Sequence, residues 1–157
     1  MKHALFAFVM LLSSSCFAAP TFKADEFATA FNEAARKLKI DTRFALQQCA
    51  KDDRDTCTYQ ASEHVAALIV KRASGLTGVV IWDGDSKSMA DWLLSISVAM
   101  EIFSPSVDKD QRGVALRTIM SGFKGKDKKG EAMLDGEKYA LQVVQGMGLW
   151  FSIDPAE

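Results

Sequence analysis

Three segments of the chain place apolar residues at every third or fourth position, which is typical of amphipathic helices. They span Asp25 to Ile40, Ser86 to Pro105 and about Lys109 to Gly122. Ser88, with an acidic residue three positions later, is the predicted N-cap of the second helix, and Asp108 is that of the third. The sequence therefore predicts three helices whose apolar stripes face a core.

The other apolar segments are short and rich in β-branched residues, which indicates strands. Four of them lie between Arg43 and Asp83, separated by polar or glycine-containing turns: RFALQQC, CTYQAS, HVAALIVKR and TGVVIWD. The third also fits one face of a helix, but its neighbours favour a strand. Further on, EKYALQVVQGMGLWFSIDP alternates on both sides of a Gly-Met-Gly turn and predicts a β-hairpin. Between the last helix and this hairpin, KGKDKKGE is predicted to be a polar loop.

Together these elements predict one α+β domain without an internal repeat or a linker. A four-strand meander and a C-terminal hairpin form an antiparallel sheet, and about three helices pack on one face of it. Residues 19–157 suit a single domain, because a chain of this length can bury a core of its own.

The N-terminal stretch MKHALFAFVMLLSSSCFAAP has the pattern of a secretory signal peptide. A charged start at Lys2 precedes an apolar run from Ala4 to Leu12, and small residues follow. The run is shorter than the roughly 20 residues that a transmembrane helix needs. We therefore expect residues 1–18 to be a signal peptide, cleaved after Ala18, and residues 19–157 to reach the periplasm or the medium.

Cys16 supports a second interpretation of the same segment. Ser14 and Ser15 are small, as in a lipoprotein whose cysteine receives a lipid, but Ser13 occupies the position that usually holds leucine. Lipidation of Cys16 would bring the domain to a membrane surface. We expect a membrane contact in that case alone.

The net charge of the chain does not favour binding to nucleic acid. The whole chain has 19 basic and 20 acidic side chains, and removal of residues 1–18 takes away Lys2 and no acid, so the net charge changes from −1 to −2.

Two of the three cysteines, Cys49 and Cys57, flank the polar segment AKDDRDT. In an exported protein such a pair is expected to form a disulfide bond. The bond would close a loop of nine residues, worth about 2.5 kcal/mol in the chain-entropy description. If residues 43–50 and 56–62 are paired strands, the two cysteines face each other. A redox pair or a metal site is the alternative, but the spacing is not C-x-x-C and one histidine alone follows residue 18.

Candidate catalytic groups are few. Asp83 and Asp85 follow a predicted strand and precede a helix, where enzymes often hold a carboxylate, although Asp-Gly is also a frequent turn sequence. His64 follows Ser62 by two positions and would share its strand face, but no motif around Ser62 marks a nucleophile. His64, Asp83 and Asp85 are therefore a minor candidate site, and no metal or cofactor is expected.

A lysine cluster after the third helix is a candidate contact for a partner. Its members are Lys124, Lys126, Lys128 and Lys129. They lie in a glycine-containing segment and could meet an acidic protein or phospholipid headgroups, although acidic neighbours dilute them.

The positions of the tryptophans indicate a second candidate contact surface. Trp82, Trp92 and Trp150 lie on three different predicted elements and are expected to share the core. Trp150, however, alternates away from both of its apolar neighbours, so the hairpin has a second face that needs a cover. That face is where we expect a partner to dock.

Three functions are compatible with these observations. The favoured one is a non-enzymatic exported binding protein, of the inhibitor or immunity type, whose partner is another exported protein. The second is a carrier of a small apolar ligand or lipid, with a cavity lined by Met100, Met120 and Trp92. The third is a hydrolase that uses the minor candidate site. The sequence identifies neither the partner nor the oligomeric state.

Overall fold

The computed structural model describes residues 20–50, 53–84, 88–124 and 128–156. The predicted signal peptide and Cys16 lie outside these ranges. Within them the elements are, in chain order, a 3-10 turn Ala24–Glu26, α1 Phe27–Lys37, β1 Ala45–Ala50, β2 Asp53–Ser62, β3 Val65–Arg72, β4 Gly75–Trp82, α2 Met89–Phe103, α3 Lys109–Phe123, β5 Lys129–Leu134, β6 Glu137–Val144 and β7 Gly148–Pro155.

The seven described strands form one antiparallel sheet in the order β1-β2-β3-β4-β7-β6-β5. The first four strands are the predicted meander, and β6 and β7 are the predicted hairpin. Residues Gly78–Trp82 of β4 pair with Leu149–Ile153 of β7, so the meander and the hairpin share a single sheet. The predicted α+β class and antiparallel sheet are confirmed, and the ambiguous third segment is a strand, β3.

The sheet has one strand more than we predicted. Lys129–Leu134, which begins inside the predicted polar loop, pairs along its whole length with β6 and forms β5. The physical reason lies at Gly130, where an added Cβ would sit 1.8 Å from the carbonyl oxygen of Ile119 in α3. Helix and strand approach so closely that this buried position cannot hold the large apolar residue by which a strand is recognised.

The helices lie on one face of the sheet, which we call the covered face. The indole nitrogen of Trp92 in α2 donates to the Val80 carbonyl of β4 at 3.3 Å. At the other end of α2, the ring of Phe103 lies over Gly78, where a Cβ would be 2.8 Å from the ring. Just after α2, Ser104 Oγ and the Tyr139 hydroxyl of β6 are 2.6 Å apart.

An aromatic cluster attaches α1 to the first two strands. Phe27 packs against Phe31, Phe44 and Tyr59 with ring centroids 5.6, 5.5 and 5.0 Å away. The Asn32 side chain donates to the Phe44 carbonyl and accepts from the Phe44 amide, both at 2.9 Å. Helix α1 is therefore fixed both by apolar packing and by paired hydrogen bonds to the backbone before β1.

Both predicted N-cap residues lie at the start of their helices, but only one of them makes a side-chain capping bond. Asp108 accepts a hydrogen bond from the Gln111 amide at 2.8 Å, as an N-cap should. Ser88 makes no capping bond, because its hydroxyl accepts from the indole nitrogen of Trp82 at 2.8 Å. The Ser88 hydroxyl thus bonds to the Trp82 side chain and not to a backbone amide in the first turn of α2.

The predicted disulfide joins Cys49 to Cys57, which are direct partners across β1 and β2. Strand β2 begins at Asp53, so the polar segment is largely strand and not the predicted seven-residue loop. Cys57 is fully buried, whereas every residue of β1 except Cys49 is exposed. The disulfide therefore ties a poorly packed edge strand to the core.

We predict that reduction of the Cys49–Cys57 bond lowers the free energy of unfolding by about 2.5 kcal/mol, because β1 has little packing to replace the covalent link. Denaturant unfolding with and without reductant measures the difference. A Cys49→Ala/Cys57→Ala variant is the control and should not respond to reductant. Equal stability of the oxidised and reduced wild-type protein would contradict the prediction.

Two glycines provide a matched test of the α3 and β5 contact. Gly130→Ala should destabilise the fold by about 3 kcal/mol or more, because its Cβ has no room beside the α3 backbone. Gly113→Ala within α3 should instead stabilise by up to about 1 kcal/mol, since its nearest neighbour is the Arg117 side chain at 3.6 Å. Similar unfolding midpoints for both variants would refute the described packing.

Candidate functional site: the open face of the sheet

The side of the sheet opposite the helices carries a mainly apolar centre, and we call this side the open face. Two rows of cross-strand neighbours run over it, Leu68–Val79–Ser152–Ala140 and Ala66–Ile81–Trp150–Gln142. No described helix lies on this side. An apolar centre framed by polar strand ends resembles the organisation of a protein interface.

Several open-face side chains are shielded from water although no described helix covers them. Val79 is 8% exposed, Ala140 is 7% exposed and Thr77 is 4% exposed. Ile81 and Trp150 beside them are partly buried. The accessible apolar surface at the centre of the open face therefore comes mainly from the partly buried residues, such as Ile81 and Trp150.

Trp150 is on the open face and not in the core with the other two tryptophans. Trp82 and Trp92 pack together on the covered face with ring centroids 6.2 Å apart. Trp150 is the register partner of Ile81 and Gln142, and its indole nitrogen donates to the Met147 carbonyl at 3.3 Å. The expectation of a shared core was wrong for Trp150, because strand alternation turns it away from the buried Phe151.

Three of the four predicted lysines are described, and they are exposed near the β5 edge. Lys124 follows α3, Lys128 has a positive φ of 45°, and Lys129 begins β5. Lys126 lies outside the described residues. Glu131 accepts hydrogen bonds from Lys129 at 2.7 Å and from Lys138 at 3.2 Å, which hold its pKa below the usual range. One carboxylate thus stands between two ammonium groups, and this edge keeps an excess of positive charge.

The minor candidate site is brought together in part. His64 Nδ1 is 3.6 Å from Asp83 Oδ1, and both side chains are well exposed. His64 lies in the turn after β2 and not on a strand, so it does not share a strand face with Ser62. Ser62 Oγ makes no hydrogen bond with a described residue, so no nucleophile–base pair forms there. Asp85 lies outside the described residues.

The residues proposed for an apolar ligand cavity are packed in the core. Trp92 and Met100 are each 1% exposed, and Met120 is partly buried against the same cluster. None of these three residues lines the surface cavities identified among the described residues.

A buried carboxylate lies at the β5–β6 end of the sheet. Glu137 is 6% exposed, and its Oε2 receives no hydrogen bond from a described residue. Burial, with smaller contributions from the charges of Asp154 and Asp135, raises the pKa of Glu137 to about 7. Among the described residues Glu137 is therefore an acid that titrates near neutrality.

We predict that this carboxyl makes the fold less stable as pH rises. The pKa of Glu137 is higher in the folded state than in the unfolded state, so the native protein binds more protons between about pH 4.5 and 7. The free energy of unfolding therefore falls as pH rises through this range, and the contribution of the protonated carboxyl is lost above about pH 7. Glu137→Gln should remove the pH dependence and stabilise the protein at pH 8 by on the order of 2 kcal/mol.

Urea unfolding at several pH values measures this effect. Glu131→Gln is the matched control, because the pKa of Glu131 is lowered and this carboxyl does not titrate in the pH range in which Glu137 does. A Glu137→Gln variant that retains the wild-type slope would rule out Glu137 as the source.

The open-face residues other than Trp150 were missed in the sequence, although a signal for them existed. The segments VAALIV in β3 and VVIW in β4 are continuously apolar, whereas a strand with one solvated face should alternate. Continuous runs in an antiparallel sheet indicate that both faces are apolar. Strand register, which the sequence did not fix, decides which of these residues become neighbours.

Within the described ranges, no group of three His, Cys, Asp or Glu side chains is placed to hold a metal ion. None of the helices in that part of the chain is long and apolar enough to cross a bilayer. No protein-family model, curated protein or solved structure matches the chain.

Proposed function

We propose that this chain is an exported, disulfide-bonded binding protein that docks another exported protein on the open face. The observation that carries the proposal is the apolar centre of that face, with Leu68, Ile81 and Trp150 on neighbouring strands and no described helix over them. A tryptophan in such a centre is the residue type that most often dominates binding energy at protein interfaces.

Charge supports an acidic partner. Lys129 lies on the open face as the register partner of Gln142, and Lys124 and Lys128 lie near the same edge of the sheet. Glu131 offsets the Lys129 ammonium group there. A partner that carries Asp or Glu opposite this edge would associate faster and in a fixed orientation. A protein of the inhibitor or immunity type, which acts by covering a surface, requires no catalytic group of its own.

Export is part of the proposal and has two supports. The first twenty residues have the charged, apolar and small-residue pattern of a signal peptide. The Cys49–Cys57 bond is of the kind that persists in an oxidising compartment. The partner is accordingly expected in the periplasm or the medium.

Site-specific photo-cross-linking in the envelope fraction of the host tests the docking face. A benzophenone amino acid at position 81 of the open face should capture one protein, and the same residue at position 94 of α2 should not. Leu94 is a matched control because it is 41% exposed on the helical side. Capture from position 94 alone, or from neither position, would contradict docking on the open face.

The captured protein then allows a direct affinity measurement. Trp150→Ala should weaken binding by about thirtyfold, as expected for an interface hot spot of roughly 2 kcal/mol. Lys124→Gln with Lys128→Gln should weaken it less and reduce its dependence on salt. Unchanged affinity in the Trp150 variant would exclude the tryptophan as the anchor.

A further inference from the structure

A cavity of about 620 Å³ lies at the end of the sheet where β3 turns into β4 and where β7 ends. Its volume is within the range of small-molecule sites. It is lined by Arg72, Ser74, Thr77, Met133, Lys138, Asp154, Pro155 and Ala156. The residues proposed as the apolar anchor and the charged edge of the protein interface do not line it, and its chemistry is different.

Charges of both signs face this cavity without neutralising each other. Neither Arg72 nor Asp154 forms an ion pair with a described residue, although both line the same space. Lys138 is the cross-strand partner of Asp154, but its ion pair is with Glu131 at 3.2 Å. The guanidinium of Arg72 and the carboxylate of Asp154 therefore line one cavity and are farther apart than an ion pair.

Thr77 adds an independent observation in the cavity wall. The residue is 4% exposed, and its Oγ1 has no hydrogen-bond partner among the described residues. A buried hydroxyl without a partner is unfavourable for the fold. Thr77 precedes Gly78 in β4, and Asp154 follows Ile153 in β7. Because Gly78 and Ile153 are register partners, the Thr77 hydroxyl and the Asp154 carboxylate lie on adjacent strands.

We propose that this cavity binds a small zwitterion of the class of free amino acids and short peptides. Arg72 receives the carboxylate of the ligand, Asp154 receives its ammonium group, and the Thr77 hydroxyl supplies a hydrogen bond between them. Met133 and Pro155 offer apolar surface to the ligand side chain.

The combination of unpaired groups selects this class over simpler ligands. A simple anion would leave the Asp154 carboxylate without a partner, and a simple cation would do the same to Arg72. An uncharged apolar ligand would strip water from both charges without replacing it, which is unfavourable. A ligand with two opposite charges satisfies both side chains at once.

Calorimetric titration of the oxidised, full-length mature protein tests the proposal with glycyl-leucine as the probe. N-acetyl-glycyl-leucine lacks the ammonium charge, and glycyl-leucinamide lacks the carboxylate. The unmodified dipeptide should bind, and each blocked form should bind at least about tenfold more weakly. No heat with the dipeptide at about 1 mM, or equal affinity of all three compounds, would overturn the proposal.

Substitutions separate a binding role from a structural one. Thr77→Val keeps the side-chain shape and removes the unpaired hydroxyl, so it should preserve or raise the unfolding midpoint while it weakens dipeptide binding about tenfold. Arg72→Gln and Asp154→Asn should weaken it similarly, and Arg117→Gln, an exposed cation on α3, should not. Wild-type affinity in both the Thr77 and Asp154 variants would show that the cavity is not the site.

Discussion

The pairing of β4 with β7 is the contact on which the rest of the structure depends. Five residue pairs join two strands that are separated in sequence by two helices and two other strands. Without them the meander and the C-terminal strands would be two small sheets, each with a free edge of apolar residues. With them, Val80 and Phe151 become neighbours under Trp92, and both groups of strands share one core. Because α2 and α3 lie in the connection between these strands, the sheet acquires its helical cover in the same step.

A sheet covered by helices on one side must present its other side to water or to another molecule. Here the other side is apolar in its centre, because β3 and β4 are apolar at successive positions and not at alternate ones. The molecule thus retains hydrophobic surface that its own described helices do not use. Its charged groups lie toward the ends of the strands, with Lys129 at one corner and Arg72 and Asp154 at another. The division of the open face into an apolar centre and charged corners underlies both binding proposals.

Local sequence features predicted the elements and the strand neighbours within the meander and the hairpin, but not the contacts between elements that are distant in the sequence. Helical periodicity identified α1, α2 and α3, and the polar segment between two cysteines identified the disulfide, since both signals are contained within a few residues. Strand β5 was missed because Gly130 makes room for the α3 backbone, a requirement that arises on another element. Ser88 lies at the predicted N-cap position but makes no side-chain capping bond for the same reason, since its hydroxyl accepts from Trp82. The cavity residues Arg72, Thr77 and Asp154 come from three strands, and the register that unites them is a property of the assembled sheet.

Strand β1 has a consequence for self-association. It is an edge strand, and if it separated from the sheet, the backbone N–H and C=O groups of β2 would form a new edge. That edge would carry Thr56, Thr58 and Gln60, residues well suited to recruit a strand from another chain. The Cys49–Cys57 bond adds a covalent tie to the pairing of β1 with β2, so reduction of this bond would make it easier for β1 to separate and for another chain to add a strand at β2.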